Sequence, residues 1–216
     1  MRIVYLHQYF NTPNMPGSTR SFDLAKRLVE NGHRVYMVTS KRDSHQKHQI
    51  GWTNENGINV CWLPVSYSNN MGFLRRIFSF LSFSFQSAKV CFSIKVDLVF
   101  ATSTPLTIAI PAVVYSKVKR IPMVFEVRDL WPEIPIAVGA LKSGLSIKLA
   151  RWLENFSYQN STRIIALSKG MKEGVVRAGY PSEKTHVITN LCNMNNFTKN
   201  NHSNKFIIDG FDWTSP

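Results

Sequence analysis

Short apolar runs rich in β-branched residues alternate along the chain with longer stretches in which apolar positions recur every three or four residues. That alternation predicts an α/β, Rossmann-like fold: an open, mainly parallel sheet with helices on both faces. Residues 2–7 are the first strand by this pattern, and a loop rich in Asn, Pro and Gly follows. Ser18 is then expected to cap a helix whose Phe22, Ala25, Leu28 and Val29 form one stripe before Gly32 stops it. Residues 35–39 are the second strand, 40–57 a polar loop and 58–63 the third strand. The segments 97–101, 123–127, 163–167 and 186–189 continue the strand series. Helical lengths fall at 106–118 and 145–158, and Ser168 is placed to cap a helix reaching Arg177.

After Asn190 the pattern changes. Asn193, Asn195, Asn196, Asn200, Asn201 and Asn204 crowd a stretch with few apolar residues, which has the composition of a linker, and 205–208 has the character of an opening strand. The expected organisation is one domain over 1–193, with 194–216 as linker and the start of a further domain.

Composition sharpens this. With 44% hydrophobic residues the chain can bury a sizeable core, which excludes a disordered tail or a disulfide-stapled mini-protein. The three cysteines, Cys61, Cys91 and Cys192, lie far apart without C-x-x-C or Cys/His spacing and fit reduced thiols in a cytoplasmic protein. The apolar run 3–6 is too short for a secretory signal. A net charge of +13, from 26 basic and 13 acidic residues, is spread over both halves and suits a surface that meets polyanions. A non-enzymatic basic module that binds membranes or nucleic acid is therefore one function class to weigh. No helix-turn-helix, RRM or zinc pattern supports nucleic acid.

Three segments could carry chemistry. The loop 8–20 holds Gly17, Ser18 and Arg20 just after the first strand, where open α/β sheets bind ligands and where a helix N-terminus offers free N–H groups to an anion. It has no G-x-G-x-x-G, and Leu145 stands where a Walker A lysine would be after Gly139 and Gly144; an ordinary surface loop is the competing reading. The segment 125–133 sets Glu126, Arg128, Asp129, Trp131 and Glu133 where a strand leaves the sheet. Its carboxylates can accept from sugar hydroxyls or take a proton, and its indole can pack on a sugar face. The alternative is structural, with Arg128 paired to a neighbour and Trp131 in the core. Residues 71–96 interleave Phe73, Leu74, Phe78, Phe83, Phe85 and other apolar residues with Arg75, Arg76, Lys89 and Lys95. The apolar stretch is too short and too serine-rich to span a bilayer, and its basic flanks suit a helix lying in an anionic interface. A buried crossover helix is the competing reading. His45 and His48 are spaced like metal ligands but have no third partner, and a lone His7 ends the first strand.

Taken together, residues 1–193 resemble the N-terminal domain of the family 4 retaining glycosyltransferases, whose GT-B architecture faces two Rossmann-like domains across a cleft. The residues that carry the resemblance are 3–10, 16–20, Asn31-Gly32-His33, 101–105, 125–133 and 168–170, with Arg128-Asp129-Leu130-Trp131-Pro132 the most specific. Within the family the pattern is most similar to the O-antigen and capsule N-acetyl-L-fucosaminyltransferases. The resemblance implies that Gly17, Ser18 and Arg20 face the cleft, that Asp129 is the acceptor-side functional residue, and that Glu126, Arg128 and Trp131 bind substrate beside it. It also implies a nucleotide-sugar donor, UDP-linked, held by a C-terminal domain, a polyprenyl-diphosphate-linked saccharide as acceptor, and no metal or other cofactor. The expected location is the inner face of the plasma membrane, bound peripherally through Arg75, Arg76, Phe78, Phe83 and Lys89. The family's hinge departs here: Thr189-Asn190-Leu191-Cys192 keeps an asparagine but lacks the proline and glycine. Because the chain stops where the donor domain would begin, it is expected to be inactive in sugar transfer by itself.

Overall fold

The computed structural model describes residues 1–41, 50–66, 71–139, 141–190, 207–208 and 211–212. Eight strands, β1 (Arg2–Leu6), β2 (Arg34–Ser40), β3 (Gly51–Glu55), β4 (Ile58–Leu63), β5 (Leu98–Thr102), β6 (Met123–Val127), β7 (Arg163–Ala166) and β8 (Thr185–Val187), form one sheet in the order β3-β4-β2-β1-β5-β6-β7-β8. All neighbours are parallel except the edge pair β3 and β4. A short antiparallel ribbon pairs β9 (Ile207–Ile208) with β10 (Phe211–Asp212). The expected sheet class is therefore the observed one.

Both faces of the central part of the sheet are covered, so its inner strands are apolar on both sides. Ile3 and Tyr5 of β1 point to the face closed by α1 (Arg20–Glu30), where they meet Phe22 and Ala25. Val4 and Leu6 point to the opposite face and join the larger core under α2 (Phe73–Ser93) and α3 (Ala109–Lys119). The helices α4 (Glu133–Ala137), α5 (Gly144–Gln159) and α6 (Lys169–Arg177) are the remaining α-helices among the described residues. Ser168 caps α6 as expected, its hydroxyl accepting the Met171 N–H at 3.2 Å.

Several expectations need correction. Helix α1 begins at Arg20 with Thr19 at its N-cap position, not Ser18. The Thr19 carbonyl accepts the Asp23 N–H at 2.9 Å, and the Ser18 hydroxyl merely takes the Arg20 N–H at 3.4 Å. The segment expected as polar loop contains β3, an edge strand exposed along nearly its whole length, which has no apolar alternation to betray it. Its signal was the turn. Asn56 and Gly57 both have positive φ, 52° and 86°, the type I′ geometry that an Asn-Gly pair favours between hairpin strands. The strand expected at 186–189 runs from Thr185 to Val187. His45, His48, Cys192 and the asparagine-rich stretch after it lie outside the described residues.

Candidate functional site

In a sheet of this order the chain runs from β1 to β2 on one side and later from β5 outward on the other, so the direction of winding reverses between β1 and β5. A crevice opens at that switch point, outside the carboxyl ends of the strands, where open α/β sheets take their ligands. It encloses about 410 Å³ and is lined by His7, Tyr9 and Asn11 after β1, Gly17 and Ser18 before α1, Thr104 after β5, Arg128 and Asp129 after β6, Leu167 after β7 and Asn190 after β8.

Each wall is fixed by hydrogen bonds that extend the parallel ladder past the strand ends. The His7 N–H donates to the Val38 carbonyl at 3.1 Å, and the Gln8 carbonyl accepts the Ser40 hydroxyl at 2.9 Å. The Ser103 N–H donates to the Glu126 carbonyl, and the Arg128 N–H to the Ser103 hydroxyl, both at 2.8 Å, so the loops after β5 and β6 are joined. Gly17 has φ +123°, and a Cβ there would lie 2.6 Å from the Asn11 amide nitrogen. Only glycine lets this loop close on the buried Asn11, whose amide donates to the Ser18 carbonyl at 3.3 Å. The loop after β6 leans on α6, where Gly174 leaves room for the Leu130 side chain; a Cβ there would be 2.7 Å from it.

Asp129 is exposed on the cleft wall, and its Oδ2 accepts the Thr104 hydroxyl at 2.8 Å. Arg128 does not pair with it. The guanidinium Nη1 lies 3.4 Å from His7 Nε2, and no ion pair joins Arg128 to Asp129 among the described residues. His7, Arg128 and Asp129 thus present a ring nitrogen, a guanidinium and a carboxylate to one polar cavity that Gly17 and Ser18 also line. That set can accept from and donate to hydroxyl groups and can meet an anion.

Arg20 and Glu126, expected to touch substrate, are instead buried beneath the site. Arg20 is 7% and Glu126 0% exposed. The guanidinium donates through Nε and Nη2 to Glu126 Oε1 at 3.1 and 2.8 Å, through Nη1 to the Thr189 carbonyl at 2.6 Å and through Nη2 to the Ile188 carbonyl at 3.0 Å. The Thr102 hydroxyl donates to Glu126 Oε2 at 2.9 Å. Both carboxylate oxygens are therefore used, and the pair ties the start of α1 to β6 and to the chain leaving β8. Trp131 is half-buried and packs on the larger core, as the structural alternative had it. Tyr9, Asn11, Thr104, Leu167 and Asn190 line the cleft without having been assigned to it. Their shared signal is position: each sits within a few residues of a strand's carboxyl end.

The 71–96 segment gives a second candidate surface. Helix α2 carries apolar side chains on both its faces. Its inward face buries Ser79, Ser84 and Ser87 along with Phe83, Val90 and Cys91, while Phe78 is 75% and Phe85 64% exposed, with Leu81 between them. Each buried serine donates to a carbonyl, Ser79 to that of Ser66 at 2.8 Å, Ser84 to that of Thr107 at 3.0 Å and Ser87 to that of Ser84 at 3.1 Å. Phe83 is thus a core residue and cannot contact a membrane, whereas Arg75, Phe78 and Lys89 are exposed and Arg76 is half-buried. The Lys89 ammonium sits over the Phe85 ring at 4.5 Å. The side chains of Phe73 and Leu74 lie outside the described residues. Among the described residues no helix is long and apolar enough to cross a membrane.

Residues 17–190 match the family described as glycosyl transferase 4-like domain. The fold is similar to that of sucrose-phosphate synthase from Thermosynechococcus elongatus, at 12% identity and a TM-score of 0.64 over 91% of this chain and 49% of that one. It is also similar to the catalytic domain of starch synthase IV from Arabidopsis thaliana bound to ADP and acarbose, at 12% identity and a TM-score of 0.60 over 90% and 52%. Alr3699/HepE from Anabaena, in complex with UDP-glucose, aligns at 18% identity and a TM-score of 0.56 over 90% and 45%. The chain spans about half the length of these proteins. No curated protein sequence matches.

Proposed function

Because the chain belongs to the glycosyl transferase 4-like family, we propose that it is the acceptor-binding half of a retaining glycosyltransferase. The enzyme passes a sugar from a UDP-linked donor to a polyprenyl-diphosphate-linked saccharide in O-antigen or capsule assembly, and it works peripherally at the inner face of the plasma membrane. The observation that carries this reading is the cleft at the switch point, whose wall holds the exposed Asp129 together with Gly17. A nucleotide-sugar donor is supported by the complex of HepE with UDP-glucose, and a lipid-borne acceptor by the outward apolar face of α2.

In this reading Asp129 accepts a hydrogen bond from the attacking hydroxyl and orients it. In a front-face transfer the departing phosphate takes the proton, so orientation is the main task of the carboxylate. Arg128 and His7 hold further acceptor oxygens, and Gly17 lets backbone approach the ligand. Side chains and helix N-termini stabilise the leaving diphosphate, without a metal ion in the scheme. The donor is bound by a second domain of the GT-B pair.

The test is calorimetric titration of the chain with short-chain lipid-diphosphate saccharide analogues. Loss of a charge-assisted hydrogen bond of about 1.5–3 kcal/mol predicts that Asp129→Asn binds roughly 10- to 100-fold more weakly, with an unchanged melting temperature. Undiminished binding would refute the assignment. Tight binding of duplex or single-stranded nucleic acid at moderate salt would instead favour a basic nucleic-acid-binding module.

A further inference from the structure

We infer that α5 is a second membrane-contacting element, so that α2 and α5 together seat an anionic lipid surface beside the cleft. The inference rests on the reading of α2 as a membrane contact and extends it to residues that reading does not use. Along the outer face of α5, Leu145, Leu149 and Trp152 recur at helical spacing and are 78%, 61% and 57% exposed. The opposite face of the same helix buries Glu154, Ser157 and Tyr158. Leu153, Phe156 and Tyr158 of the same helix pack on the larger core, so α5, like α2, carries apolar side chains on its outward face as well as its inward one, where a helix facing only water shows a polar outer face. Trp152 stacks on Phe156 with ring centroids 5.4 Å apart and planes at 17°. The indole thus forms a flat, amphipathic surface suited to the headgroup level of a bilayer.

Position joins the two helices into one footprint. Both α2 and α5 pack beside α3 in the layer over the larger core, and both touch the turn Leu106–Ile108 that follows β5. Each starts at the carboxyl edge of the parallel sheet, the edge that holds the cleft. Leu145 and Leu149 fall in the first half of α5 with Trp152 just past its midpoint, and Phe78, Leu81 and Phe85 fall in the first two-thirds of α2, so both stripes reach toward that edge.

Charge selects the occupant. Helices α2, α3 and α5 all carry basic residues, and Glu154, which is buried, is the one carboxylate among them. On α5 the exposed Lys148 and Arg151 border the apolar stripe, with Lys142 just before it. Two copies meeting through this face would oppose cation with cation, whereas an anionic bilayer complements it and lets the long basic side chains reach phosphate while their stems lie on apolar surface.

The test is co-sedimentation of the full chain with vesicles of phosphatidylglycerol and phosphatidylcholine, and with phosphatidylcholine alone. The exposed variants Leu149→Glu/Trp152→Glu in α5 and Phe78→Glu/Phe85→Glu in α2 are compared at matched melting temperature. Each pair is expected to lower partition into the anionic vesicles by roughly tenfold or more, and brominated lipid is expected to quench a fluorescence component that Trp152→Phe removes. If the α5 pair binds as the parent does while the α2 pair fails, the α5 inference is overturned and the α2 reading stands. If the parent ignores both vesicle types, both are overturned and the cleft reading is untouched. A dimer in sedimentation analysis that the α5 pair dissociates would assign the face to a second copy and also overturn the lipid inference.

Discussion

Removing Arg20 should destabilise the domain more than any exposed substitution, because it strands a carboxylate that water cannot reach. In the parent the guanidinium supplies both hydrogen bonds to Glu126 Oε1 and one to each of two carbonyls, from a residue 7% exposed to one that is 0% exposed. After Arg20→Met, the Thr102 hydroxyl on Oε2 is the remaining donor to Glu126 among the described residues. Breaking a buried ion pair from one side costs about 3–5 kcal/mol, which for a domain of this size lowers the melting temperature by roughly 6–20 °C. The origin of the loss is the orphaned charge, so neutralising it should help. The double variant Arg20→Met/Glu126→Gln is expected to be more stable than Arg20→Met alone, by about 1–3 kcal/mol. Urea unfolding of the parent, both single variants and the double variant measures the coupling. A double variant less stable than Arg20→Met, or an Arg20→Met loss below about 1 kcal/mol, would refute the argument, since exposed ion pairs contribute no more than that.

Three further expectations follow from the geometry. Gly17→Ala must place a Cβ 2.6 Å from the Asn11 amide at φ +123°, so it should weaken acceptor-analogue binding about tenfold or more while costing about 1–3 kcal/mol of stability, read by titration and urea unfolding side by side. Thr104→Val removes the hydroxyl on Asp129 and should lower binding by roughly 3- to 10-fold, with a stability change of about 1 kcal/mol or less. Burial, and then the nearby Glu133 carboxylate, push the Glu154 carboxyl up from 4.5 to about 7. The folded state then binds more protons than the unfolded state between those values, so stability should fall as pH rises from about 4.5 to 7 and level off above, by at most roughly 3 kcal/mol. Thermal melts of Glu154→Gln across that range should show a flatter curve.

The parallel strands and their order of appearance were legible because a strand buried on both faces needs an unbroken apolar run, as in Ile3 to Leu6. The edge strand β3 was not, since Trp52, Thr53 and Asn54 face solvent and alternate with nothing. The same limit governed the site. Sequence order places Arg20 and Glu126 beside cleft residues, but neighbours along a strand end point to opposite sides. Glu126 turns into the sheet's interior, where Arg20 meets it, while Asp129, three residues later, has left the strand and faces the cavity. In α2 the phenylalanines were legible as a group and their faces were not. Phe83 and Phe85 are two positions apart, which on a helix separates a buried side chain from an exposed one.

The buried pair bears on the cleft through the chain it holds. The carbonyls that Arg20 grips belong to Ile188 and Thr189, directly before Asn190 on the cleft wall. Arg20 opens the helix that begins just after Gly17 and Ser18 on the facing wall. One guanidinium therefore sets the separation between the loop before α1 and the segment after β8, with β6 and its Glu126 as the fixed point between them. A charge pair is suited to that task because several directional bonds converge on one planar group, whereas an apolar contact of equal volume would leave the two walls free to slide. This predicts that cleft and stability respond together at Arg20 but separately at Asp129. A binding loss in Arg20→Lys larger than its stability loss accounts for would mark the fork geometry, and not the charge, as what positions the walls.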